Sequence, residues 1–143
     1  RVTNGVDNVT AIYEGGVTSA TGMSVQSLSF SIAQPNRPTH VLGSPAPSSI
    51  GKNSLEIGGQ LKVYNDASAL TFWDKHVAYT ATSLHFRLTD SGSSTEIYSF
   101  PAVRIISGNP NAGGADSDVS SDFSFACETD ATLGYQMMVS KIV

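Results

Sequence analysis

Among these 143 residues, few side chains are of types and spacings that could do chemistry. Asp116, Asp118 and Asp122 crowd beside a glycine-rich stretch, and calcium takes several oxygen ligands from such loops. Their spacing completes no EF-hand and no bidentate glutamate closes the shell, so the reading is a solvated acidic loop. His40, His76 and His85 fall in loop, helix and strand contexts with no H-x-x-x-H or H-E-x-x-H spacing, which leaves them as surface or helix-end histidines. Serines are abundant, and a Ser-His-Asp triad assembles from distant positions. Yet no G-x-S-x-G elbow occurs, and the serines sit on the polar faces of strands. Trp73 could stack on a sugar, but with Leu70 and Val77 at helical spacing it reads as core. Asn8-Val9-Thr10 matches a glycosylation acceptor, which would have no meaning if the protein were made in a bacterium. Catalysis, a metal and a cofactor are therefore not expected.

The elements that would position these residues are mostly strands. Val25, Leu28, Phe30 and Ile32 are interleaved with Ser27, Ser29 and Ser31, the period of two that marks a strand buried on one face. Residues 33–54 carry Pro35, Pro38, Pro45 and Pro47 with Gly43 and Gly51. Proline removes ladder donors, so this stretch cannot lie in the middle of a sheet and reads as a long loop. Leu55, Ile57, Leu61 and Val63 form a strand with a bulge expected at Gly58-Gly59. A helix is predicted over Ala67–Val77, entered from Asn65-Asp66, with Leu70, Trp73 and Val77 on its buried face and Lys75 and His76 in its last turn. Leu84, Phe86 and Leu88 begin a β-hairpin that turns at Asp90–Ser94 and returns through Ile97, Phe100, Val103 and Ile105, with an edge position or a bulge at Pro101. After a loop from Ser107 to Asp118, Val119, Phe123, Phe125 and Cys127 mark the penultimate strand and 135–142 the last. Arg1–Gly22 reads as an arm, linker or edge strand. No βαβ rhythm and no repeat appear, so the fold expected is an all-β antiparallel sandwich or barrel with one short flanking helix.

Composition narrows the partners. Charged residues make up 14% of the chain against about a quarter in an average domain, so Ser, Thr, Asn and Gly must carry the surface. The net charge is −4 and the eight basic residues are scattered, which argues against a protein that grips phosphate. The single cysteine, Cys127, can form no internal disulfide and lies where a small buried hydrophobe belongs. No apolar run approaches the roughly 18 residues of a membrane span, so a soluble chain is expected. The sequence opens at Arg1 rather than methionine, which points to a processed product or the C-terminal part of a longer chain.

The order of elements and several phrases resemble the tail tube proteins of long-tailed bacteriophages. They are the opening strand Ser24–Ile32, the loop after it, Leu55-Glu-Ile-Gly-Gly-Gln-Leu-Lys-Val-Tyr64 leading into the Trp73 helix, Ser83-Leu-His-Phe-Arg-Leu-Thr-Asp90, Phe100-Pro-Ala-Val-Arg-Ile105, Ser107-Gly-Asn-Pro-Asn-Ala-Gly-Gly-Ala115 and Asp130-Ala-Thr-Leu-Gly134. The likeness runs from about Ser24 to Ile142, making 24–143 a tail-tube-like domain and 1–23 an arm or linker. It implies a structural protein of the virion, with six copies per ring and stacked rings whose inner strands join into a continuous barrel. DNA would pass through it without specific binding, other tail proteins would be its partners, and assembly would take place in the cytoplasm of the bacterial host. It further implies that the loop 33–54 reaches a neighbouring ring, through Asn36, Arg37, Pro45 and Pro47, and makes Asp116, Asp118 and Asp122 candidates for an acidic lumen.

Two other classes fit parts of the sequence. A monomeric adhesion or carbohydrate-binding sandwich from a tail tip or surface protein would account for the Ser and Thr content. A hydrolase would need activity that disappears with a single Ser or Asp change.

Overall fold

A computed structural model describes residues 9–15, 24–52, 54–65, 67–89, 94–111 and 118–142. Among the described residues nine strands and one helix follow in the order β1 (Val9–Glu14), β2 (Val25–Ala33), β3 (Asn36–Thr39), β4 (Ser49–Lys52), β5 (Glu56–Tyr64), α1 (Ala67–Val77), β6 (Thr82–Thr89), β7 (Thr95–Asn111), β8 (Ser120–Cys127) and β9 (Met138–Ile142). All pairings among them are antiparallel. The main sheet runs β1-β6-β7-β8-β5-β2, with β9 added to β7, while β3 and β4 form a separate two-stranded sheet.

The 17-residue β7 joins the two halves of the fold: its first part pairs with β6 and β9, and from Val103 onward it pairs with β8. The sheet closes on itself so that Phe30 of β2 meets Phe86 of β6 and Tyr98 and Phe100 of β7, at centroid separations of 5.4 to 5.9 Å. Alternation places Ile57, Leu61 and Val63, Leu84 and Phe86, and Phe123, Phe125 and Cys127 in one core. Burial pushes the Cys127 thiol up to about 11.

Two glycines are there for close approach. A Cβ on Gly59 would stand 2.2 Å from the Ser29 carbonyl oxygen and 2.6 Å from Phe125 Cζ, and one on Gly108 would stand 2.8 Å from the Phe123 ring. The bulge expected at Gly58-Gly59 is absent, since both β5 registers run through it unbroken. Bulges fall instead beside Val25 and at Pro101, where Pro101 and Ala102 of β7 oppose the single Ser83 of β6.

Other expectations change as well. Residues 33–54 are not a structureless loop: Asn36 pairs with Lys52 and Thr39 with Ser49, making a hairpin whose prolines are tolerated because both strands are edges. β7 continues to Asn111 through what reads as loop, because Gly108, Asn109 and Pro110 find partners in Phe123, Asp122 and Ser121. The span of α1 is as expected but its buried face is not. Ala69 and Phe72 point inward, with Phe72 against the Phe123 ring, while Leu70, Trp73 and Val77 are 60%, 39% and 70% exposed. Val119 is likewise exposed, and Ser120 and Ser121 are buried in its place. Residues 9–14 take the edge-strand option, pairing with β6. No helix among the described residues is long and apolar enough to cross a membrane.

Candidate functional site: a polar sheet face between two open edges

The second half of β7, with β8, β5 and β2, forms a four-strand section whose outer face is nearly all small and polar. Register decides this. Ser27, Ser29 and Ser31 lie opposite Lys62, Gln60 and Gly58 on β5, which lie opposite Asp122, Ser124 and Ala126 on β8, and Asn109 and Ser107 of β7 extend the rows of Asp122 and Ser124. Because the inward residues of the same strands fill the core, these alternate residues must all emerge on the other side. Shallow concavities run along the face, one bounded by Ser29, Ser31, Gln60 and Ser124 and another by Ser27, Lys62 and Asp122. Lys62 and Asp122 are direct cross-strand partners of opposite sign, so the centre of the face has no net charge.

At the foot of this section Arg104 makes a two-pronged contact with Glu128, Nε to Oε1 at 2.7 Å and Nη2 to Oε2 at 2.8 Å. That contact holds the Glu128 carboxyl below its ordinary range and the guanidinium above its own. A further Nη1 bond to the Tyr79 carbonyl at 2.6 Å, with the guanidinium 4.3 Å from the Tyr79 ring centroid, steadies a residue at φ 52°.

The section has two edges without a strand partner among the described residues. β2 pairs with β5 on one side only, and the β6 ladder stops at Val103, leaving the second half of β7 open on the side away from β8. Helix α1 overlies this β7–β8 end, with His76 Nδ1 3.2 Å from the Ile105 carbonyl and Trp73 close above Gly108. Its other flank is tied inward, where Lys75 binds Glu14 of β1 and Thr82 of β6.

The β3–β4 hairpin stands clear of this body. All of residues 31–50 are exposed, including Val41, Leu42 and Ile50. Asn36 and Arg37 lie on β3 and Pro45 and Pro47 in the connection near its tip, which Gly43 at φ 89° helps to turn. Of the three aspartates, Asp122 lies on the polar face opposite Lys62, Asp118 is exposed just before β8, and Asp116 is outside the described residues. His40, His76 and His85 stay apart on separate elements, and burial lowers the titration of His85. Among the described residues no three His, Cys, Asp or Glu side chains gather into a group able to hold a metal.

The family model of the phage tail tube protein matches residues 1–127. The chain belongs to the phage tail tube protein family. This tail tube protein is thus a structural component of the virion tail, and the resemblance read from its phrases holds. In fold it is similar to the tail of an empty gene transfer agent particle computed with helical refinement and C6 symmetry, at 12% identity over 99% of this chain and 100% of that one, with a TM-score of 0.61. It is also similar to a chain of the virion of a native gene transfer agent particle (10% identity, 99% and 100% covered, TM-score 0.57) and to Hcp1 from Flavobacterium johnsoniae (12%, 94% and 98%, TM-score 0.53). No curated protein matches the sequence. Sequence reasoning missed the open β7 edge, because it ended that strand at Ile105. The alternation of Phe123, Phe125 and Cys127 was the available signal, since it requires a partner as long as β8.

Proposed function

We propose that copies of this chain join edge to edge, β2 of one to the second half of β7 of the next, into rings of six that stack as the tube through which DNA leaves the capsid. The observation that carries this is the pair of open edges on a single four-strand section with a polar, charge-balanced outer face. An open edge is a template for pairing, and a closed ring satisfies both edges of this four-strand section in every copy. The C6 symmetry of the gene transfer agent tail supports six as the number that closes.

In such a ring the face bearing Ser27, Ser29, Ser31, Gln60 and Ser124 forms the wall of the passage. Hydroxyls and amides hold water, and Lys62 is matched by Asp122, so the wall offers no cluster of cations to bind phosphate. Asp122 contributes an acidic side chain to the wall and Asp118 another at its margin. The β3–β4 hairpin, through Asn36, Arg37, Pro45 and Pro47, reaches the next ring, where Leu42 and Ile50 lose their exposure. Rings form in the host cytoplasm and meet other tail proteins at the two ends of the tube.

Electron microscopy of the purified chain at rising concentration tests this: rings and tubes are expected, and a monomer that persists at high concentration refutes it. Deleting Pro35–Ser49 should leave folded rings that do not stack. Tubes of normal length from that variant would remove the hairpin from the stacking contact.

A further inference from the structure

We infer, resting on the edge-joined ring proposed above, that the exposed flank of α1 in one copy seats in an apolar cleft of the next copy. The cleft lies where β1 and β2, the two end strands of the folded main sheet, face each other without pairing. It is lined by Ile12, Val25, Leu28, Phe30, Phe86 and Leu88, opens to solvent, and has a volume of about 420 Å³. Among the described residues no charged side chain lines it. Space of this size is far more than the ~30 Å³ share of a water molecule, and apart from Gln26 and Ser27 on the β2 side its lining is apolar.

The matching surface is the stripe of Leu70, Trp73 and Val77. Successive helical residues are roughly 100° apart, so with Ala69 and Phe72 turned into the core the stripe lies to one side of α1 and Lys75 to the other. Lys75 reaches the chain's own Glu14 and Thr82, whereas Trp73 sits above Gly108 of β7. The stripe therefore overhangs the open β7 edge, at the opposite end of the four-strand section from β2. Both stripe and cleft lie on the core side of that section. Continuing the section from β7 of one copy to β2 of the next carries the stripe to the mouth of the cleft, in a head-to-tail contact that a rotation can close. An exposed apolar patch of this kind marks a contact site, and tryptophan is among the residue types enriched at the anchors of such contacts.

Trp73 is the only tryptophan, so the unmodified full chain reports on the contact. Its emission should move to shorter wavelength and lose its quenching by iodide as rings form. In a Cys127→Ala background, Trp73→Cys or Val77→Cys paired with Leu88→Cys or Val25→Cys should give, on oxidation of assembled material, a ladder of covalent multimers that ends at one closed ring. Leu70→Cys with Ser29→Cys, whose second partner is on the polar face, should give none. Rings seen by microscopy without the emission shift or the ladder overturn the helix-to-cleft contact and leave the ring standing. A ladder running past one ring places the contact between rings and also overturns it. Absence of rings in the unmodified chain overturns both.

Discussion

Replacing Gly59 with alanine should destabilise the subunit far more than the same change elsewhere in the strands, because the added carbon meets backbone. The new Cβ would lie 2.2 Å from the Ser29 carbonyl oxygen and 2.6 and 3.0 Å from the Phe125 ring. The ring can turn within limits, but the oxygen is fixed by the β2–β5 ladder, in which Phe30 pairs with Gly59 itself. Relief therefore requires β2 and β5 to part or Phe125 to leave its place in the core. Overpacking of this kind costs about 1–3 kcal/mol, offset by about 0.4–1 kcal/mol from the reduced freedom of the unfolded chain when a glycine is replaced. Because a backbone oxygen cannot yield as a side chain can, the upper end of that cost applies, and the net loss of about 2 kcal/mol corresponds to roughly 4–8 °C in melting temperature for a chain of this size. Neighbouring glycines give the scale. Gly108→Ala presses on the Phe123 and Trp73 rings at 2.8 to 3.1 Å, Gly58→Ala meets the Phe125 carbonyl at 3.2 Å, and Gly51→Ala has only an ordinary contact at 3.6 Å. Urea unfolding of the monomer should rank the losses Gly59, then Gly108 and Gly58, with Gly51→Ala within about 0.5 kcal/mol of the parent. A Gly59→Ala variant as stable as Gly51→Ala would refute the close approach of β2 to β5.

Further predictions concern the core and its margins. Phe72→Ala should cost about 3–5 kcal/mol, since it empties the contact with Phe123 that fixes the roll of α1; calorimetry of the variant checks it, and a loss below 1 kcal/mol would mean the helix is not held by that ring. With its titration raised to about 11, Cys127 should react with a thiol reagent at pH 8 about 100-fold more slowly than an unshifted thiol before any hindrance is counted, and urea should release it; rapid labelling of folded protein would contradict its burial. Because Arg104 lowers the Glu128 carboxyl, the stabilisation from that pair is present above the ordinary glutamate range and is lost as pH falls through the depressed value. Glu128→Gln should therefore flatten part of the fall in stability between neutral and acid pH, as measured by chemical denaturation at each pH, and an unchanged slope would exclude the pair from acid unfolding.

What could be read from the sequence was whatever burial stamps on alternate residues. β2, β6 and β8 each bury one face, so Leu28 and Phe30, Leu84 and Phe86, and Phe123 and Phe125 announce them. The β3–β4 hairpin buries neither face, and four residues such as Asn36-Arg37-Pro38-Thr39 carry no periodic trace of pairing. The end of β7 was hidden for a different reason: Gly108 and Pro110 have loop-forming preferences, and only the ladder to β8 overrides them. The helix shows the limit of periodicity. Leu70, Trp73 and Val77 satisfy the same spacing rule as Ala69 and Phe72, and tertiary packing makes the choice, with Phe72 set against the Phe123 ring. The Asp130–Gly134 segment entered only through the family resemblance, and the structure supplies its local chemistry: Asp130 Oδ1 accepts from the Thr132 and Leu133 amides at 2.9 and 2.7 Å and Gly134 takes φ 73°. As for the site, the serines were visible as a polar face on one strand, but their alignment across β2, β5 and β8 is a property of register that no single strand contains.

The low charge and the misplaced apolar residues then have one physical origin. Among the described residues a free subunit in water leaves Leu42, Leu70, Val77 and both edges of the four-strand section uncovered, and a stand-alone protein would be expected to guard such edges with lysine and proline. Here the β2 edge carries serine at alternate positions and no charge between Val25 and Ala33. Charge on that strand would protect the monomer, but it would also repel an incoming copy and, on the outer face, put a ring of like charges around any enclosed passage. In the ring proposed above, these features trade solubility of the single chain for assembly. Substitutions in the core should accordingly alter the folding of the subunit at any concentration, whereas those on the β2 edge, the α1 stripe or the hairpin should act mainly through the concentration at which assembly begins.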